Sequence, residues 1–307
     1  MAIAYITHSD CLLHDMGHHP EQPARLNAIN DRIIASGLDM ALRQYDAPLV
    51  DRELLNIAHE PLYIDRIHSM APQEGTVWVD GDTAMNRHTL QAALRAAGAV
   101  QMGVDLVMSG EVKQVFCGVR PPGHHAETSN AMGFCFFNNI AVGAYHALHN
   151  YHLERVAIVD FDVHHGNGTE DIVSGDDRIL FCSTFQHPFY PGSGAESTAQ
   201  NVVNIPLPAG TGSMAFREAV DLGWLPRLKA FAPQLILISA GFDAHQADDM
   251  AGLNLVDRDY GWVTRRLCEQ ADRSAQGRLV SSLEGGYELH SLARSVEAHI
   301  KAFMGEA

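Results

Sequence analysis

Six short apolar runs, rich in β-branched residues, recur along the chain: AIAYI near its start, VFCGV at 115–119, VAIVDF at 156–161, ILFCST at 179–184, LILISA at 235–240 and RLVSSL at 278–283. Their apolar character does not alternate, so they read as strands buried on both faces. Segments with helical spacing lie between most of them, at 22–36, 88–109, 138–152, 212–231, 257–275 and 289–303. This alternation predicts a mostly parallel sheet covered by helices. With 307 residues, 46% of them hydrophobic, the chain can bury a large core. No repeat, low-complexity tract or linker interrupts the pattern, so residues 1–307 are expected to form one α/β domain.

The formal net charge of −16 excludes a basic face for nucleic acid. The start, MAIAYITHSD, lacks a basic leader followed by a long apolar stretch, and no window holds eighteen consecutive apolar residues. A membrane partner is therefore not expected, and the expected location is cytoplasmic. Cys11, Cys117, Cys135, Cys182 and Cys268 show no CxxC spacing and read as reduced core residues. Nothing in the composition decides between a monomer and a homo-oligomer.

Polar or glycine-rich loops follow four of the strands: RPPGHHAE, DVHHGNG, GFDAHQADD and EGGYE. Ligands of open parallel sheets bind beyond the carboxyl ends of the strands, so these loops should meet at one site. In DFDVHHGNG, residues 160–168, the i, i+2 relation lets Asp162 and His164 present an oxygen and a nitrogen to one point. Asp243 would add a third ligand and leave a tetrahedral Zn²⁺ one open position. An Asp-x-His pair alone is more often a hydrogen-bonded loop pair; three loops with compatible groups favour the metal. The adjacent His124 and His125 sit on a turn shaped by Pro121, Pro122 and Gly123, with Asp160 and Asn167 available to fix their tautomers. Adjacent loop histidines are often merely solvated, but here their loop converges with the others, which favours general-base work. Tyr287 follows two glycines and can supply a neutral phenol donor to a developing oxyanion.

The strings GHHPEQPARL, RPPGHHAE, MGFCFFNNIAVGA, VAIVDFDVHHGNGTED, SAGFDAH and LEGGY, in this order over residues 18–287, resemble the zinc-dependent histone deacetylases. The likeness is to class II and bacterial members, with acetylpolyamine amidohydrolases as relatives. It implies the three-layer arginase/deacetylase fold around an eight-stranded, mainly parallel sheet. It makes Asp162, His164 and Asp243 the ligands of one Zn²⁺ per chain, His125 the general base and acid, His124 an electrostatic partner held by Asp160, and Tyr287 the oxyanion donor. It also implies a structural K⁺ on Asp160, Asp162, His164, Ser183 and a carbonyl near Thr184. A second cation would lie on carbonyls of Val173, Asp176 and Ile179. Asn167 stands where class I members carry an aspartate, and STF at 183–185 replaces the SLH of many relatives. Phe134 with Gly133 from GFCFF, and Tyr190 from HPFYPG, are the implied walls of an acyl-lysine tunnel.

The implied reaction is removal of an acetyl or other short acyl group from an acyl-lysine or small acylamide. Metal-activated water attacks the amide, with His125 taking the water's proton and Tyr287 stabilising the oxyanion. The ligand set also suits Fe²⁺ or Co²⁺. Polyamine-selective relatives place an acid at the tunnel mouth, where this chain puts the apolar Met250; a one-residue slip would bring Asp248 or Asp249 there instead. Two rivals remain. A binuclear manganese ureohydrolase would need a closely spaced pair of aspartates, whereas Asp243 is followed by no acid until Asp248. A non-catalytic acyl-binding module is disfavoured by the presence of His125 and Tyr287.

Overall fold

The computed structural model describes residues 3–306; Ala2, the first residue of the AIAYI run, and both ends of the expected 1–307 domain lie outside them. The chain runs from β1 (Ile3–Thr7) through α1 (Asp10–Leu13) and α2 (Ala24–Ala35) to β2 (Leu42–Asp46). Next come α3 (Arg52–Ala58), α4 (Pro61–Met70), a small hairpin of β3 (Val77–Trp78) and β4 (Ala84–Met85), and the long α5 (Thr89–Met108). The central part comprises β5 (Gln114–Cys117), α6 (Asn139–Asn150), β6 (Val156–Asp160), α7 (Asn167–Val173), β7 (Ile179–Gln186) and β8 (Val202–Leu207). A π turn at Val220–Trp224 joins α8 (Ser213–Ala219) to α9 (Leu225–Phe231), before β9 (Leu235–Ala240), α10 (Asp257–Ser274), β10 (Leu279–Leu283) and α11 (Leu289–Phe303).

The main sheet has eight strands in the order β2-β1-β5-β10-β9-β6-β7-β8, and every pairing in it is parallel. Helices α5 and α6 pack together against β5, β10, β6 and β9, while α10 packs on β9 and joins α11 and α2. This is the expected three-layer fold, with the sheet wholly rather than mainly parallel. Each of the six apolar runs forms a strand, and β6, β9 and β10 are buried along their whole length. The edge strands β2 and β8 were not legible: LRQYD of β2 is mostly polar, and VVNIPL of β8 is interrupted by Asn204 and by Pro206, a residue confined to sheet edges. Among the described residues, no helix is long and apolar enough to cross a membrane.

Strands β5, β10, β9 and β6 are neighbours, so the four polar loops that follow them emerge side by side. One buried ionic network ties the N-terminal segment to these loops. Glu21, Arg25, Arg120 and His14 are all 0% exposed. Arg120 bonds both oxygens of Glu21 and donates to the carbonyls of Cys11 and His14 at 2.8 and 3.1 Å. Arg25 shares Glu21 Oε1 at 3.1 Å and donates to the carbonyls of Glu284 and Gly286 at 2.5 and 2.6 Å. One carboxylate thus balances two desolvated guanidinium groups. Glu21→Ala would leave both buried without a counter-charge, and the expected loss is about 3–5 kcal/mol. Urea unfolding followed by circular dichroism measures it; an unchanged midpoint would mean that the carbonyls alone compensate the charges.

Candidate metal centre and active site

Asp162, His164 and Asp243 meet where β6 and β9 end, and one donor atom from each lies within 4.8 Å of the others. His164 Nδ1 is 3.0 Å from Asp162 Oδ1 and 3.2 Å from Asp243 Oδ2. Main-chain N–H groups aim the carboxylates: Gly285 N donates to Asp162 Oδ2 at 2.8 Å, and Val163 N to Asp243 Oδ1 at 2.9 Å. Asp243 Oδ2, fully buried, makes no well-formed hydrogen bond. Burial opposes charge on His164, but the adjoining Asp162 and Asp243 carboxylates overcome it and push the ring up to about 10. Burial and the Asp162 charge push Asp243 up to about 6. Such a group of desolvated carboxylates calls for a cation, and its two oxygens and one imidazole nitrogen fit Zn²⁺.

His124 and His125 sit beside this group with ring centroids 4.0 Å apart. Asp160 Oδ2 lies 2.9 Å from His124 Nδ1. Burial resists, but the charges of Asp160 and Asp162 push His124 up to about 10. Asn167 Oδ1 lies 2.7 Å from His125 Nδ1, and Asn167 is itself oriented by donating Nδ2 to Glu127 Oε1 at 2.8 Å. An amide oxygen only accepts, so His125 carries its proton on Nδ1 and leaves Nε2 as a base. Burial, followed by the charges of His124 and His164, holds His125 well below its ordinary value and keeps it neutral. His165, the fourth member of the crowded 160–165 segment, turns away and bonds Glu170 of α7 at 2.6 Å.

A cavity of about 220 Å³ opens onto these groups. The expected tunnel residues Gly133, Phe134, Tyr190 and Met250 line it, together with Tyr287, the expected oxyanion donor. Gly133 has φ +55°, and a Cβ there would sit 2.4 Å from the His125 ring, so the close approach of wall to base requires glycine. Phe189 and Asp82 also line the cavity and were not singled out from sequence. Phe189 stacks on His164 at 5.6 Å, and its place in HPFYPG was the available signal. The Tyr287 ring lies under the Arg25 guanidinium at 4.8 Å and edge-on to Phe134 at 6.0 Å. Burial raises the Tyr287 phenol well above its ordinary value, so it remains a proton donor.

Two expectations are corrected. Asp248 is no candidate for the tunnel mouth: it is buried, and its Oδ2 accepts from Tyr287 N and Glu288 N at 2.6 and 3.0 Å while Oδ1 accepts from Met250 N at 3.1 Å. It therefore fastens the Tyr287 loop to the Met250 wall, which leaves Asp249 as the exposed member of the pair. The carbonyls of Val173, Asp176 and Ile179, expected to face a second cation, instead face the side-chain amide nitrogen of Asn201. The first cation site differs: Ser183 Oγ is buried without a hydrogen-bond partner, and Ser183 pairs with Asp160 across β6 and β7. Glu284, quoted in LEGGY without a role, accepts from Gly123 N and His124 N at 2.7 and 3.1 Å and so anchors the histidine turn. Burial, opposed by the His124 charge, pushes its carboxyl up to about 7.

A buried two-carboxylate, one-imidazole group beside a neutral histidine, at the floor of a narrow cavity, is the donor set of a metal-assisted hydrolase. The family model for the histone deacetylase domain matches residues 19–303, and the chain belongs to the histone deacetylase family. It is 40% identical to the uncharacterized protein slr0245 of Synechocystis, covering 98% of this chain and 99% of that one. A probable deacetylase of Archaeoglobus fulgidus is 36% identical over 94% of this chain and 82% of its own length. The crystal structure of the HDA15 HD domain superimposes with a TM-score of 0.94 at 33% identity, covering 100% of this chain and 89% of that domain. This family supplies hydrolases, in keeping with the donor set.

Gly285 gives a test of the metal group that leaves its ligands in place. A Cβ there would lie 2.1 Å from Asp243 Oδ2 and 2.6 Å from Asp162 Oδ2. Gly285→Ala is expected to lower metal affinity roughly 10- to 100-fold with the fold retained, as read by metal analysis after gel filtration and by circular dichroism.

Proposed function

We propose that this chain is a single-domain, zinc-dependent deacetylase that removes acetyl or other short acyl groups from acyl-lysine-type amides. The observation that carries the reading is the convergence of Asp162, His164 and Asp243 with a neutral His125 at the floor of a cavity that Tyr287 also lines. Asp162, His164 and Asp243 would hold the Zn²⁺, which when bound supplies Lewis acidity to the amide carbonyl and acidifies a water. His125 Nε2 takes the proton of the attacking water, with its tautomer fixed by Asn167. Tyr287 donates its phenolic proton to the developing oxyanion as a hydrogen bond. His124, held by Asp160, keeps positive charge beside the anionic intermediate, and His125 passes the proton it took from the water to the leaving amine. Phe134, Phe189 and Tyr190 pack on the acyl-lysine stem and exclude water.

A structural K⁺ on Asp160, Asp162, His164, Ser183 and the Thr184 carbonyl belongs to the same reading, supported by the unpartnered Ser183 Oγ. Cytoplasmic residence is supported by five free cysteines, four of them buried. Acetylpolyamines are the second substrate class worth weighing, because Asp82 brings a carboxylate to the cavity lining where an ammonium could pair with it. The ureohydrolase reading has less support, since both Asp248 oxygens are taken by main-chain N–H groups.

Turnover of a fluorogenic acetyl-lysine amide should be lost on chelation and restored by Zn²⁺; a zinc-loaded protein that leaves this substrate intact would overturn the assignment. Tyr287→Phe should retain metal and fold while kcat falls roughly 10²–10³-fold. Substrate class is read from kcat/KM for an acetyl-lysine peptide against acetylspermidine. The wild type should favour the peptide, and Met250→Glu should move the ratio several-fold toward the polyamine, since an exposed ion pair is worth about 1 kcal/mol. A wild-type preference for the polyamine that collapses in Asp82→Asn would instead assign recognition to Asp82.

A further inference from the structure

The turn leaving α7 presents three backbone carbonyls, those of Val173, Asp176 and Ile179, to a single atom. Asn201 Nδ2 lies 2.8 Å from Val173 O, 2.9 Å from Ile179 O and 3.3 Å from Asp176 O. Asn201 Oδ1 accepts from Gly175 N at 2.9 Å, so both ends of the amide are bound inside the same turn. Its main-chain carbonyl accepts from Phe181 N at 2.9 Å, which latches the residue to β7 as well. Asn201 is 7% exposed.

A primary amide has two N–H protons, yet three oxygens surround this nitrogen. Three carbonyl dipoles with their negative ends converging on a point form the kind of cradle that replaces the hydration shell of a monovalent cation. Val173 O and Asp176 O each also accept a main-chain N–H, from Asp176 at 3.2 Å and Ile179 at 2.9 Å, so it is their second lone pairs that face Asn201. We propose that the Asn201 side chain stands in place of a cation here, so that the α7–β7 turn is held by a tethered donor and needs no ion. The tether has a thermodynamic advantage, because a covalently attached group loses less freedom on binding than a free ion. What the turn holds matters for the site. Helix α7 begins at Asn167, which orients His125, and β7 carries Ser183 beside Asp160.

The test compares wild type, Asn201→Ala and Asn201→Asp by thermal melting in KCl, NH4Cl and choline chloride at equal ionic strength. All three proteins keep the Ser183 position, so any response of that position cancels in the differences between them. In choline, Asn201→Ala should melt roughly 3–8 °C below wild type. K⁺ or NH4⁺ should recover part of that loss, because an ion that binds only the folded cradle stabilises it by mass action. Asn201→Asp has nearly the same shape but sets a carboxylate against three carbonyls, so it should show the larger cation response. Equal cation responses in all three proteins would overturn the proposal, as would an Asn201→Asp variant as stable as wild type in choline. Should Asn201→Ala fold in no salt, the Asn201→Asp comparison decides. Melting is read without substrate, so failure here leaves the deacetylase reading intact, and failure of that reading leaves this one intact.

Discussion

The structure depends on burying four carboxylates at the ends of adjacent strands. Asp160, Asp162, Asp243 and Glu284 are each at most 1% exposed, and an isolated charge so buried is prohibitively costly. Asp160 and Asp243 solve the problem in the same way. Each ties Oδ1 to a main-chain N–H, that of Asp162 and of Val163 respectively, and leaves Oδ2 for a group of positive character. For Asp160 that group is His124, and for Asp243 it is His164, whose Nδ1 lies 3.2 Å away. Main-chain N–H groups thereby set the direction of all four carboxylates. The glycine at 285 serves the same end by letting the β10 loop press against two aspartates.

Most of the site was legible because its members are packed into short polar strings directly after apolar runs. Asp162, His164, Asp243, His124, His125 and Tyr287 could be singled out by residue type and spacing, and Asn167 by its place two residues past His165. The residues that went unread act through the backbone. Glu284, Asp248 and Arg25 hold main-chain atoms of the histidine turn and the Tyr287 loop, and no side-chain pattern signals such a bond. Asp248 shows the limit well: its charge suggested a substrate partner, whereas its hydrogen bonds turn it inward. Asn201 lies in a featureless stretch, and only the convergence of three distant carbonyls gives it meaning.

The fold shows the same division. Strands buried on both faces were read to within about two residues, and α2, α5, α6, α10 and α11 nearly as closely, whereas α3 and α4 were not read. Strand β2 escaped because LRQYD is mostly polar, β8 because Asn204 and Pro206 interrupt VVNIPL, and α7 because NGTEDIV begins with a run of polar residues. The segment 212–231 reads as one helix, but a π turn divides it at Val220–Trp224. Periodicity over many residues averages away such a one-residue insertion.

The position of β10 carries a consequence for how the molecule is assembled. It is the last strand of the chain, yet it lies inside the sheet between β5 and β9. Without it the sheet is two separate ribbons, β2-β1-β5 and β9-β6-β7-β8. The first ribbon leads into the turn bearing His124 and His125; the second carries Asp162, His164 and Asp243. During synthesis both ribbons leave the ribosome before the strand that joins them, and contacts such as Arg25 to Gly286 span 261 residues. Closure over such distances is slow. The histidine pair and the Asp162, His164 and Asp243 group therefore belong to different halves of an unfinished sheet until β10 slots between them, and a chain stopped short of residue 279 contains both parts of the site without containing the site.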